Sequence, residues 1–224
     1  STTSAMNTAI NQKANEITSS VSQTYTTKNQ IANSKIYNLV KNSSGVYGTN
    51  GWVCDSNTLL KTSDSSGYPK IYTTAGVCVV HESIADSETC FYHERIRLKP
   101  NTTYRVSFKY YAYNDNTKAF EAHMFFADNE NAEIHQFTSY VTIVTDNNLA
   151  NSWRNVSTTF TTGATTACGG MRFDNEGVTA AGKTARIHIA DLIITEGDIQ
   201  VGWAPSPYDV QINVKENNVL NIKE

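Results

Sequence analysis

The segment from Tyr104 to Tyr113, YRVSFKYYAY, alternates with a period of two residues and therefore dictates an extended strand. Tyr104, Val106, Phe108 and Tyr110 share one face, while Arg105, Ser107, Lys109, Tyr111 and Tyr113 share the other. Just before it, Leu98 to Thr102 (LKPNT) reads as a turn, because Pro100 fixes φ and Asn101 tolerates left-handed geometry. Further strands are expected at Val77 to Glu82, Phe91 to Leu98, Ala119 to Ala127, Gln136 to Thr145, Trp153 to Phe160, Gly170 to Asp174 and Ala185 to Thr195. Strands of this length, joined by clusters of Gly, Asn, Asp and Ser, predict an all-β domain after residue 35, a jelly roll or related β-sandwich.

The first 35 residues differ in kind. Ser, Thr, Asn, Gln and Ala dominate, and Ile10, Ala14, Ile17 and Val21 are spaced four, three and four apart, an a/d seam continued weakly by Thr24, Lys28 and Ile31. An isolated helix of this length is marginal in water. The spacing therefore predicts a short coiled-coil-like helix and a homo-oligomer built through residues 5–32, or an amphipathic helix lying on its own domain. The expected organisation is a helical linker over 1–35, a sandwich over 36–209, and a tail or the start of another module over 210–224, where Val210, Ile212 and Val214 alternate.

Charge and motif content narrow the function. With 18 basic residues against 21 acidic ones and no basic run, the chain lacks the cationic face that nucleic acid requires. It contains nothing near the ~18 consecutive apolar residues of a membrane span, and its polar start has no signal-peptide core. Beginning at Ser1, it reads as a piece of a longer polypeptide. Cys54, Cys78, Cys90 and Cys168 form no C-x-x-C pair, which argues against a zinc cluster; two disulfides, or a set that is mostly small buried hydrophobes, both fit. The enzyme signatures G-x-S-x-G, H-E-x-x-H, G-x-x-x-x-G-K-[ST] and G-x-G-x-x-G are all missing. His81, His93, His123, His135 and His188 fall at no metal-ligand spacing and are expected to be structural. No enzyme is expected, and Glu121 with Asp174 is the carboxylate pair to test against glycoside hydrolysis.

Four segments carry a family resemblance: Asn38 to Ser43 (NLVKNS), Leu98 to Phe108 (LKPNTTYRVSF), Ser152 to Phe160 (SWRNVSTTF) and Ala190 to Asp209 (ADLIITEGDIQVGWAPSPYD). Together they resemble the jelly-roll carbohydrate-binding modules of tail-fibre, baseplate and tail-tip receptor-binding proteins of phages infecting Gram-positive bacteria. The last segment is the most specific, joining a strand, a Glu196-Gly197 turn and a Trp203/Pro205/Pro207/Asp209 exit. The resemblance implies a virion protein of the tail tip or baseplate that contacts host cell-surface polysaccharide and other tail proteins. An accessory adaptor without glycan binding is the alternative. No cofactor is expected beyond the structural calcium of the family. Asp191 sits where a calcium-holding Asp lies, but Ser43-Ser44-Gly45 follows Asn42 where the family has Phe-Glu.

Sugar recognition needs flat aromatic faces and planar polar groups. The outward residues of three strands provide them: Tyr111 and Tyr113; Glu121, His123 and Phe125; Arg172 and Asp174. They form one surface if those strands are neighbours in one sheet; otherwise Tyr111, Tyr113 and Phe125 belong to a second core or a protein contact. Trp52, after Gly51, is either structural or a ligand platform. Trp153 and Trp203 are expected to seal the sandwich edge, and Tyr68 and Tyr72, flanking Pro69, are second-line platforms.

Overall fold

A computed structural model of the chain describes residues 3, 6–8, 10–18, 36–64, 73–133 and 136–209. Two compact units are present, Ser1–Ile36 and Tyr37–Glu224. In the first, residues 3, 6–8 and 10–18 are helical, and the seam positions Ile10, Ala14 and Ile17 are exposed to solvent. A Lys13–Glu16 ion pair at 2.6 Å adds one turn-to-turn contact on the helix surface. Val21, Thr24, Lys28 and Ile31 lie outside the described residues, as do Tyr68, Pro69, Tyr72, His135 and residues 210–224.

In the second unit the described residues form eleven strands: β1 (Trp52–Cys54), β2 (Leu59–Asp64), β3 (Val77–Ser83), β4 (Thr89–His93), β5 (Ile96–Arg97), β6 (Thr103–Ala112), β7 (Phe120–Ala127), β8 (Ser139–Asp146), β9 (Arg154–Thr161), β10 (Cys168–Asn175) and β11 (Ala185–Glu196). They make two antiparallel sheets. Sheet I runs β1-β4-β10-β7-β8, with β5 beside β10 next to β4; sheet II runs β2-β3-β11-β6-β9. Only β2–β3 and β7–β8 are consecutive strands in these orders; the other neighbours are distant in sequence, the long-range pairing of a jelly-roll-type sandwich.

Alternation places the core between the sheets. Tyr104, Val106, Phe108 and Tyr110 of β6 face Phe120, Ala122, Met124 and Phe126 of β7 together with Met171 and Phe173 of β10, all buried in one cluster. Phe173 stacks on Phe91 at 5.1 Å and meets Phe108 edge-on at 5.5 Å, so aromatic packing ties the layers together. A bulge in β11 between Ala190 and Ile193 shifts the inward phase from Ile187 and Ile189 to Leu192 and Ile194. The extra residue, Asp191, takes a left-handed φ of 52°.

The opening and closing segments are stitched together by buried polar groups. The Asn38 amide donates to Ser43 Oγ and to the Leu192 and Ala204 carbonyls. The Trp203 indole donates to Ser43 Oγ at 3.0 Å, and Asp209 accepts the Asn42 and Ser206 backbone N–H groups. The opening and closing segments, two of the four that carry the family resemblance, are thus one structural unit. All four cysteines are free.

Candidate functional site

The outer face of sheet I is built from residues that alternate with the core. Registry aligns Val53, Tyr92, Arg172, His123 and Thr142 in one cross-strand row, and Cys90, Asp174, Glu121 and Thr145 in the next. Phe125 pairs with Tyr140 in a third row, where Gly170 fills the β10 position. Gly170 leaves room there: an added Cβ would sit 3.1 Å from the Phe137 ring and 3.2 Å from the His93 carbonyl.

Phe125 and Tyr140 stack at 5.0 Å with their planes 24° apart, and the Tyr140 side of this pair is open, with the residue 60% exposed. The Arg172 guanidinium lies 5.5 Å from the Phe125 ring centroid. His123 meets Tyr140 edge-on at 5.2 Å. Tyr92 donates its hydroxyl to Asp55 at 3.1 Å, which fixes a second aromatic at the other end of the row. The result is an aromatic platform with planar hydrogen-bonding groups beside it.

Polar contacts lock these groups. Arg172 Nε donates to Asp174 Oδ1 at 2.6 Å, and its Nη2 pairs with Glu88. His123 Nε2 lies 3.2 Å from Glu121 Oε2 and 3.3 Å from Asp174 Oδ2, while Nδ1 lies 3.2 Å from Thr142 Oγ1. Burial pushes the Asp174 carboxyl up, against the pull of Arg172. Burial also raises Glu176, and the neighbouring Glu88, Glu121 and Asp174 charges add to it.

The expected site divides between the sheets. Glu121, His123, Phe125, Arg172 and Asp174 come together as expected, but β6 belongs to sheet II, so Tyr111 and Tyr113 lie on the opposite side of the sandwich. There Tyr111 is 3% exposed and packs against Tyr113, Trp153 and His188, which removes it as a sugar platform. The single surface anticipated from three strands is thus corrected to two strands, β7 and β10, extended by β4 and β8. Trp52 is also corrected: at 6% exposure it stacks on Phe91 and Phe173 and donates its indole N–H to the Asn42 carbonyl at 3.0 Å, so it is a core residue.

Asp191 does not fit a calcium ligand. Its carboxylate accepts the backbone N–H groups of Thr74 and Ala75 and pairs with the Lys109 ammonium at 2.9 Å. Calcium needs six or more oxygen ligands, and this carboxylate is surrounded by donors and a fixed positive charge. The Glu121–Asp174 pair does not resemble a hydrolytic one either: an imidazole lies between the two acids, and Asp174, 2% exposed and held by Arg172, cannot reach a glycosidic oxygen.

Tyr140, Tyr92 and Glu88 complete the face and escaped the sequence reading. Tyr140 and Thr142 face out while Val141 pairs with core Met124, a local alternation that marks Tyr140. The bulge at Ile143 then reverses the phase, so no single alternation runs along β8.

A family model described as a carbohydrate binding domain (CBM_4_9) matches residues 37–173, more than half of the chain. The chain belongs to this family. No curated protein matches the sequence. Among solved structures, the domain is similar to the bacteriophage CBA120 tailspike protein 4 enzymatically active domain, at 14% identity and a TM-score of 0.55, covering 72% of this chain and 22% of that one. It is also similar to the CBM22-1–GH10 modules of Clostridium thermocellum xylanase 10B complexed with xylohexaose, at 15% identity and a TM-score of 0.51, covering 72% and 29%. The tandem CBM22 domains of Paenibacillus barcinonensis Xyn10C match at 13% identity and a TM-score of 0.52, covering 72% and 50%. The chain spans half or less of each of these proteins, and at such identities the likeness is one of fold.

Proposed function

We propose that this domain is a non-catalytic glycan-binding module of a phage tail tip or baseplate, and that the outer face of sheet I holds host cell-wall polysaccharide during adsorption. The observation that carries the reading is the Phe125–Tyr140 stack, open on its Tyr140 side and flanked by Arg172, His123 and Glu121. Aromatic rings cover the C–H face of a pyranose, and the planar polar groups reach its hydroxyls. Family membership supports sugar as the ligand. The phage assignment rests on the resemblance of the opening, the β6 turn and the closing segment to tail-protein modules. A site of this openness binds weakly, because each hydroxyl gives up good hydration. Association of the N-terminal helices through residues 5–32 would multiply such sites on one virion.

The test is binding of fluorescently labelled protein to whole Gram-positive cells and to their isolated wall polysaccharide, with Phe125→Ala and Tyr140→Ala as controls. Strain-selective binding lost in both folded variants supports the reading. A folded wild-type domain that binds no strain, yet captures purified tail proteins, would make it a structural adaptor.

A further inference from the structure

The geometry points to a divalent transition-metal site at Glu121, His123 and Asp174, which we infer takes zinc or a similar first-row cation in the middle of the sheet I face. Three donor atoms converge there: Glu121 Oε2 and Asp174 Oδ2 lie 3.2 and 3.3 Å from His123 Nε2, and all three fall within 4.8 Å of one another. Metal–ligand bonds of ~2.0–2.2 Å set neighbouring donors roughly 3.0–3.5 Å apart, which matches both distances to the imidazole.

The ligands are also aimed from behind. Thr142 Oγ1 lies 3.2 Å from His123 Nδ1, so a proton held there leaves the Nε2 lone pair turned toward the two acids. Arg172 occupies Asp174 Oδ1 and leaves Oδ2 turned to the same point. Outer-shell partners of this kind are what orient metal ligands. His123 is 7% exposed and Asp174 2%, while Glu121 is half-buried, so the site opens on one side only.

Registry adds an independent reason. Glu121 and Asp174 are direct cross-strand partners in the β7–β10 ladder, so a cation held between them would also relieve the repulsion of like charges placed opposite one another. Arg172 neutralises Asp174 and Glu88 from the far side and leaves Glu121 to the imidazole. One nitrogen and two carboxylate oxygens suit zinc or manganese better than calcium, which takes oxygen alone. A neighbouring set, Glu88, Cys90 and Asp174, also converges, but Arg172 already pairs with both of its acids and the Cys90 thiol donates to Glu88.

The proposal does not depend on glycan recognition, since its readout is ion binding. Metal-stripped protein without a histidine tag is titrated with zinc by calorimetry, alongside a thermal melt. The expected result is one ion per chain and a higher melting temperature. Affinity should fall at least ~10-fold in Glu121→Gln and in His123→Gln, as loss of a ligand or its orienting contact does, and persist in Cys90→Ser. Glu121→Gln alters a half-buried surface residue and so keeps the readout available if His123→Gln fails to fold. No saturable binding up to about 1 mM zinc overturns the site. Binding lost in Cys90→Ser but kept in Glu121→Gln overturns it equally, in favour of the thiol set.

Discussion

Phe125 and Tyr140, on adjacent strands of sheet I, stack at 5.0 Å and 24° on the side of the sheet away from the core. Tyr140 contributes little to folding, because most of its ring faces water. Tyr140→Ala is therefore expected to change unfolding free energy by less than about 1 kcal/mol. On the proposed reading it weakens glycan binding at least ~10-fold, about 1.4 kcal/mol of lost contact. Equilibrium urea denaturation and affinity electrophoresis on wall polysaccharide measure the two effects separately.

Asp191 should behave as a structural carboxylate. Asp191→Ala removes the acceptor for Thr74 and Ala75, removes the ion pair with Lys109, and places an alanine at a φ of 52°. Together these effects are expected to cost about 2–3 kcal/mol. Asp191→Asn keeps an acceptor and a residue that tolerates left-handed geometry, so its cost should be roughly half as large. Millimolar calcium is expected to leave the wild-type melting temperature unchanged; a clear rise would return calcium to this bulge.

The fold was legible where alternation is uninterrupted. β6, β7 and the first part of β11 read directly from the chain, because one face of each must be apolar. β1 and β2 were not read: Trp52–Cys54 is only three residues long, and Leu59–Asp64 is an edge strand with no buried member. The site was half legible. Outward residues of β7 and β10 are identified by alternation within each strand, but which strands lie side by side is set by long-range pairing that no local pattern records. That is why Tyr111, outward on β6, and Tyr113, just past its end, were grouped with residues of the other sheet.

Gly169 of β10 lies hard against β7. A Cβ there would lie 2.6 Å from the Phe125 carbonyl oxygen, 2.6 Å from Met124 Cε and 2.8 Å from Leu98 Cδ1. The methionine end can move, but the carbonyl belongs to a paired strand. Gly169→Ala is expected to destabilise the domain by about 1–3 kcal/mol, as overpacking does. It should also weaken glycan binding beyond what stability explains, since the displaced carbonyl is that of Phe125. A variant as stable as wild type in a thermal melt would show that β10 can slide.

Stability should fall as the medium turns acidic, and buried histidines are the reason. Burial pushes His188 and His81 down to about 4, and it lowers His93 as well. In the unfolded chain these groups take up protons near ~6.5. Between about pH 6.5 and 4 the unfolded state therefore holds more protons, and each such histidine lowers unfolding free energy by up to ~1.4 kcal/mol per pH unit as pH drops. Asp174 and Glu176, raised by burial, act in the opposite sense just above the ordinary carboxylate range, so a difference measurement is needed. His188→Gln removes one proton-linked group from the outer side of sheet II. Urea denaturation of wild type and variant at pH 7 and pH 4.5 should show the variant losing less stability on acidification, by about 2 kcal/mol. An identical loss in both proteins would mean that His188 is not held neutral by its surroundings.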